Sequence, residues 1–135
     1  MNKKYVGNRA LSLAALLSVV TSLHQAGWKV DATLLAFEAW IVFPYFICWL
    51  LNRPLYKSAN SKLSTVAAVF SLLVLLFSLL AYSSFYFGRQ SSTGGLAFIF
   101  IPLYFVLASI LVLGTANAVR YFQGRRANVS GRTHR

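Results

Sequence analysis

The chain has 135 residues, of which 58% are hydrophobic and only 11% are charged. Soluble domains carry about 25% charged residues, which cover their surface with polar groups. This chain lacks those groups, so a lipid bilayer is the solvent in which its composition is stable. The net charge of +11 does not indicate a nucleic-acid binder, because the basic residues lie between apolar blocks and not on one folded face.

The residue types that carry most enzyme chemistry are scarce. The chain has one cysteine, two acids and two histidines, and the lone Cys48 excludes an intramolecular disulfide and a cysteine metal cluster. The sequence contains no nucleophile–base pair, phosphate-binding loop, dinucleotide-binding turn or haem ligand pair. We therefore expect a protein that is not an enzyme, holds no metal or cofactor and binds no nucleic acid.

Four apolar blocks are each about as long as the roughly 20 residues that a helix needs to cross a bilayer. They comprise residues 10–28, 32–51, 65–87 and 96–119. In lipid each block must satisfy its own backbone hydrogen bonds, and none alternates as a barrel strand does. The sequence predicts an all-α membrane protein, a four-transmembrane-helix bundle within residues 1–119 followed by a basic tail, residues 120–135.

The first block also has features of a cleaved signal peptide, because basic residues precede its apolar stretch from Leu11 to Leu23. Cleavage requires small residues at the −3 and −1 positions, and cleavage after Ala26 would place His24 at −3. Cleavage after Ser22 would satisfy the rule but leave a short apolar core. We therefore expect the first helix to be retained.

Small residues repeat at helical spacing in three of the blocks. In the first block they are Ala10, Ala14, Ser18, Ser22 and Ala26; in the third they are Ser64, Ala67, Ala68, Ser71, Ser78 and Ala81; in the fourth they are Gly114 and Ala118. Helices in lipid associate through close backbone contact and polar bonds. The pattern predicts packing surfaces within the bundle. The alternative for the first block is the seam of a homodimer.

The second block carries its strongly polar residues on one face. Residues seven apart lie on nearly one side of a helix, and here that series is Asp31, Glu38, Tyr45 and Asn52. We expect this face to point into the bundle. Asp31 stands where an N-cap is needed, which explains it fully.

Glu38 is the most informative residue, because it is the only acid inside a predicted span. It lies roughly 10 Å from the end of its helix at 1.5 Å per residue, and an unpartnered charge at such depth costs several kcal/mol, about 2.5–3.5 at the centre. The predicted topology places His24, Gln25 and Tyr82 at a similar depth. Arg89 is expected to reach down to Glu38 from the outer surface. The sequence predicts a polar cluster of these five residues, either a structural tie between helices or a functional site.

The basic residues predict the orientation. Eleven of the thirteen Lys and Arg residues precede the first block, lie between the second and third, or follow the fourth. The last group is Arg120, Arg125, Arg126, Arg132 and Arg135. Loops with more basic residues stay in the cytoplasm, so we expect both termini there, in a bacterial inner membrane. The tail arginines are expected to attract anionic lipid headgroups, or to bind a cytoplasmic partner.

Two functions are consistent with these features. The first is a small non-enzymatic membrane protein that contacts another membrane protein, or itself, as an accessory subunit or as an immunity-type protein against a membrane-inserting toxin. The second is a proton-coupled transporter or channel with Glu38 as the titrating group. Four helices, this length and one membrane acid are similar to the small multidrug transporters. That family carries its acid in the first helix, whereas Glu38 lies in the second, so no membership is claimed.

Overall fold

The structure, a computed structural model, describes residues 2–28, 30–58, 60–87 and 94–130. For Gln25, Tyr82 and residues 84–87, 94–98 and 126–130 it describes the backbone alone. This part of the chain is all-helical. Its helices are α1 (Lys3–Gln25), α2 (Ala32–Tyr56), α3 (Ser61–Phe87) and a fourth helix built from α4 (Gly94–Ser109), a π-helical turn (Ile110–Gly114) and α5 (Thr115–Ser130).

The four helices are each long and apolar enough to cross a membrane. The spans are Lys3–His24, Ala32–Tyr56, Ser61–Ala81 and Ile99–Arg125. The predicted all-α membrane protein with a four-transmembrane-helix bundle is therefore confirmed. Most of the helices extend beyond the predicted blocks, because apolar composition marks only the part in hydrocarbon, whereas backbone hydrogen bonding continues into the interface and, in α5, into the predicted tail.

α1 ends earlier than the predicted residue 28, and the cause is a left-handed turn. Gly27 has a φ of 63° and Trp28 has a φ of 62°, a conformation that stops an α-helix. The Trp28 N–H reaches back to the Leu23 carbonyl at 3.0 Å. This bond satisfies one of the carbonyls that a helix end leaves without a partner, so the turn caps α1.

The small-residue surfaces of α1 and α3 pack inside the bundle, as predicted. α1 lies against α3 and α2, and α2 also packs against the fourth helix. The buried small residues of the two surfaces are Ala10, Ala14, Ser18 and Ser22 of α1 and Ala67, Ala68, Ser71 and Ser78 of α3. Since the α1 surface is covered within one chain, it does not form the alternative homodimer seam.

The predicted packing pair of the fourth helix is wrong. Ala118 is exposed and Gly114 only half-buried, and a methyl group added to Gly114 would meet no atom within 4 Å. The buried face consists instead of Ser109, Leu113 and Ala116. These three residues keep the i, i+4, i+7 spacing of one helix face. The sequence pattern selected Gly114 and Ala118 for their small size alone, and size does not show which face is buried.

Gly7 lies where α1 meets the end of α2, and we expect Gly7→Ala to destabilise the protein. A methyl group at this position would overlap the Tyr56 hydroxyl and come within 3.4 Å of Ser71 Oγ. Displacing a packed side chain costs about 1–3 kcal/mol, which exceeds the helix-propensity gain of about 0.5–1 kcal/mol. Unfolding in mixed detergent and SDS micelles measures the change.

Two variants control for this prediction. Gly124→Ala adds a methyl group where no atom lies within 4 Å, so it should be neutral or stabilising. Tyr56→Phe removes a buried hydroxyl that has no hydrogen-bond partner; it should cost little and should partly rescue Gly7→Ala. Equal stability of Gly7→Ala and Gly124→Ala would show that the Gly7 contact is unimportant.

Candidate functional site

The polar face of α2 turns into the bundle, and Tyr45 is its centre. The Tyr45 hydroxyl hydrogen-bonds with Ser18 Oγ of α1 at 2.6 Å and with Ser78 Oγ of α3 at 2.9 Å. Each serine also donates to a carbonyl of its own helix, Ser18 to Ala14 and Ser78 to Val74, both at 2.8 Å. This tyrosine therefore joins three helices, at a place that is buried.

The Tyr45 cluster has fewer hydroxyl hydrogens than hydrogen-bonded contacts. Three hydroxyl groups carry three hydrogens, whereas the two serine–carbonyl bonds and the two contacts of Tyr45 make four. One serine must therefore share or redirect its hydrogen whenever Tyr45 donates to the other. The cluster can exchange hydrogens among its members without breaking the contact between the helices.

A second polar layer lies two helical turns along α2. Asn52 Nδ2 donates to Ser71 Oγ at 2.9 Å and lies 3.7 Å from Cys48 Sγ. Ser71 in turn donates to the Ala67 carbonyl at 2.9 Å. Asn52 Oδ1 and the buried Ser109 Oγ have no hydrogen-bond partner. A buried polar atom without a hydrogen bond raises the free energy of the folded state. These two atoms are therefore the least stable part of this layer.

The fourth helix is tied to α2 by one amide. Asn117 Nδ2, just beyond the π-helical turn, donates to the Leu51 carbonyl at 2.9 Å and to the Leu113 carbonyl at 2.8 Å. Apolar side chains also join these two helices, since Ile41 packs on Phe37 of its own helix and on Ile101 of the fourth. α2 is thus the helix that holds the other three together.

Glu38 lies on the same face of α2 as Tyr45, seven residues before it in the chain. Both of its carboxyl oxygens are buried, and neither has a hydrogen-bond partner among the described residues, so no hydrogen bond joins it to His24. His24 is exposed in the last turn of α1. The Gln25 and Tyr82 side chains, and Arg89 as a whole, lie outside the described residues. The proposed five-residue cluster therefore stays a prediction.

Asp31, the first member of the polar series, caps α2 as expected. Its carboxylate accepts a hydrogen bond from the Leu34 N–H at 2.7 Å. This is the standard interaction of an N-cap residue, and it places the second acid of the chain at the helix end. Of the two acids, only Glu38 lies inside a span.

The basic residues that the structure describes gather at one end of the bundle. Lys3 Nζ donates to Ser61 Oγ at 2.9 Å and to Thr65 Oγ1 at 2.8 Å, which brings the start of α1 to the start of α3. Asn60 Nδ2 donates to Gln123 Oε1 at 3.2 Å, which brings α5 to the same end. We call this end of the bundle the basic end.

The basic end holds most of the tail residues that the structure describes. Its basic residues are Lys3, Lys4, Arg9, Arg53, Lys57, Lys62, Arg120 and Arg125. Arg125 lies over the Tyr121 ring at 5.2 Å, and Arg53 lies over the Trp49 ring at 4.3 Å. Three of the predicted tail arginines cannot be placed at this end. The side chain of Arg126 and the whole of residues 132 and 135 lie outside the described residues.

Among the described residues there is no group of three His, Cys, Asp or Glu side chains that could hold a metal ion. Tyr45 and Asn52 of the core hydrogen-bond to serines of other helices of the same chain, and this arrangement can fix helix positions. Comparison of the chain with protein-family models, curated proteins and solved structures finds no match.

Sequence reasoning found the polar face of α2 but not its partners. The serine repeats of α1 and α3 were interpreted as small packing residues, and their hydroxyl groups as hydrogen-bond partners of Tyr45 and Asn52 were missed. A signal was present, because Ser71 and Ser78 are seven apart, the same spacing as Tyr45 and Asn52. Matching equal spacings on two helices could have paired them.

Proposed function

We propose that this chain is a small non-enzymatic integral membrane protein that acts through protein contacts in the bilayer, as an accessory subunit or as an immunity-type protein against a membrane-inserting toxin. The observation that supports this most is the Tyr45 cluster. Its hydroxyl groups bond to other helices of the same chain at 2.6 and 2.9 Å. Polar groups that could line a path for a substrate are used here to hold a scaffold together.

The experiment is crosslinking in native membranes followed by purification. We expect one membrane protein to be recovered with the chain in a fixed ratio, and not with an unrelated four-helix protein expressed at the same level. Recovery of the lone chain, or of the same proteins with both baits, would count against a contact function.

We also propose that both termini face the cytoplasm and that the membrane is a bacterial inner membrane. The support is the gathering of Lys and Arg at the basic end, to which both termini lead, because basic loops are retained in the cytoplasm. A fluorescent reporter that matures only inside the cell, fused to the C-terminus, should be bright. An enzyme reporter that is active only outside should be silent at the same position.

A proton-coupled transporter or channel is the second candidate, and Glu38 supports it. Its carboxyl oxygens are buried inside a span and have no hydrogen-bond partner among the described residues, and an acid within a span is a functional candidate by default. The test is proton release from detergent-solubilised protein on addition of candidate cations. Release that is lost in Glu38→Gln but kept in Asp31→Asn would favour transport, whereas no release across a broad panel would remove this candidate.

Whichever function holds, we expect Glu38→Gln to be at least as stable as the natural protein. The Glu38 oxygens have no hydrogen bond to lose among the described residues, and the substitution removes any charge that would have to be buried. Unfolding in SDS micelles measures the difference, and Asp31→Asn, which retains a good N-cap, is the matched control. A marked loss of stability in Glu38→Gln alone would mean that the carboxyl has a partner.

A further inference from the structure

A groove runs along the outside of the bundle between α3 and the fourth helix. It forms because α3 packs mainly on α1, whereas the fourth helix packs mainly on α2. The half of the groove nearer the basic end has a volume of about 530 Å³, within the range of about 300–1,000 Å³ typical of ligand pockets. We call this half the Lys62 groove. Its lining includes Lys62, Thr65, Val66, Val69, Leu73 and Val112.

The length of the Lys62 groove matches one leaflet of a bilayer. Lys62 and Leu73 are eleven residues apart on a continuous helix, which is roughly 16 Å at 1.5 Å per residue. The hydrocarbon core of a bilayer is about 30 Å thick, so each leaflet contributes about half of that. Apart from Lys62 and Thr65 at one end, the lining is apolar, as an acyl chain requires.

The mouth of the groove is positively charged. Lys62 is exposed there, and the Lys3 ammonium hydrogen-bonds at 2.8 Å to Thr65 Oγ1, a residue that also lines the groove. Both acids of the chain, Asp31 and Glu38, belong to the opposite half of α2. A second copy of this chain in the same orientation therefore offers no acidic side chain for Lys62, whereas a phospholipid headgroup offers an anion at this depth.

We propose that the Lys62 groove binds one anionic phospholipid from the leaflet at the basic end. An acyl chain lies along Val66, Val69 and Leu73, and the phosphate lies at the Lys62 ammonium, with Lys3 adding a second positive charge. This site is independent of the proposed protein contacts, and its occupancy can be measured on the purified chain alone.

The experiment counts lipids that the full-length chain retains. Detergent-purified protein is mixed with vesicles of phosphatidylglycerol and phosphatidylcholine that have identical acyl chains, and native mass spectrometry then records the bound lipids. We expect one phosphatidylglycerol to be retained preferentially. Lys62→Gln should weaken its binding about fivefold, since one basic residue near a membrane surface contributes about that factor, and Val69→Trp should abolish it by filling the groove.

Two matched variants separate this site from general lipid contact. Lys57→Gln removes an exposed lysine that does not line the groove, and Leu76→Trp introduces the same tryptophan side chain at an exposed position of α3 outside it. Both should retain phosphatidylglycerol like the natural protein. Equal retention of both lipids, or equal loss in Val69→Trp and Leu76→Trp, would overturn the proposal. A photoreactive group at position 69 should label phospholipid in native membranes, and a protein adduct there would overturn it too.

Discussion

Ala14→Leu is expected to separate α1 from α3 and to lower the free energy of unfolding by about 1–3 kcal/mol, the usual cost of overpacking. Ala14 is fully buried, at 0% exposure, in the middle of the small-residue surface. Lipid provides no hydrophobic force that would hold the two helices together once they are moved apart. The displaced α1 would also carry Ser18 away from Tyr45, so the loss would include a hydrogen bond.

The matched control is Ala118→Leu, which makes the same chemical change at an exposed position of the fourth helix. Substitutions at such positions usually stay within about 0.5 kcal/mol. Unfolding of both variants in mixed detergent and SDS micelles, followed by circular dichroism, gives the comparison. If Ala118→Leu were the more damaging of the two, the fourth helix would pack through the face of Gly114 and Ala118. The helix arrangement described above would then be wrong.

The sequence predicts well those features that depend only on how one helix meets the surrounding lipid. The four spans follow from apolar length alone, and the inward face of α2 follows because Tyr45 and Asn52 would be costly in lipid. The α1 surface follows because only small side chains allow close approach of two helices. Each of these inferences depends on one helix and the bilayer, so no knowledge of neighbouring helices is needed.

The elements that the sequence does not predict are those that depend on two helices at once. The buried face of the fourth helix, with Ser109, Leu113 and Ala116, depends on how that helix packs against α2, and composition gives no signal of that packing. The choice of Ser18 and Ser78 as partners of Tyr45 depends on how α1 and α3 are placed along α2. The surroundings of Glu38 depend on the same placement, and the predicted cluster there stays a prediction because the side chains of three of its members lie outside the described residues.

Tyr45→Phe is expected to lower the free energy of unfolding by about 1 kcal/mol, the typical net value of an intramolecular hydrogen bond. The cost is modest because Ser18 and Ser78 keep their bonds to backbone carbonyls, and the ring contact with Phe105 at 6.1 Å is preserved. Tyr45→Ala should cost about 3–5 kcal/mol, as large aromatic truncations in cores do. Tyr104→Phe and Tyr104→Ala, at an exposed tyrosine of α4, should each change stability little.

Double-mutant cycles identify the serine that accepts the tyrosine hydrogen. Since three hydrogens serve four contacts, the Tyr45 hydroxyl cannot be an equal donor to Ser18 and Ser78 at one time. We therefore expect unequal coupling energies for Tyr45→Phe with Ser18→Ala and with Ser78→Ala, the larger within the range of about 0.6–1.7 kcal/mol found between membrane helices. The 2.6 Å contact favours Ser18 as the stronger partner. Zero coupling with both serines would mean that the cluster contributes no stability and that apolar packing alone joins the three helices.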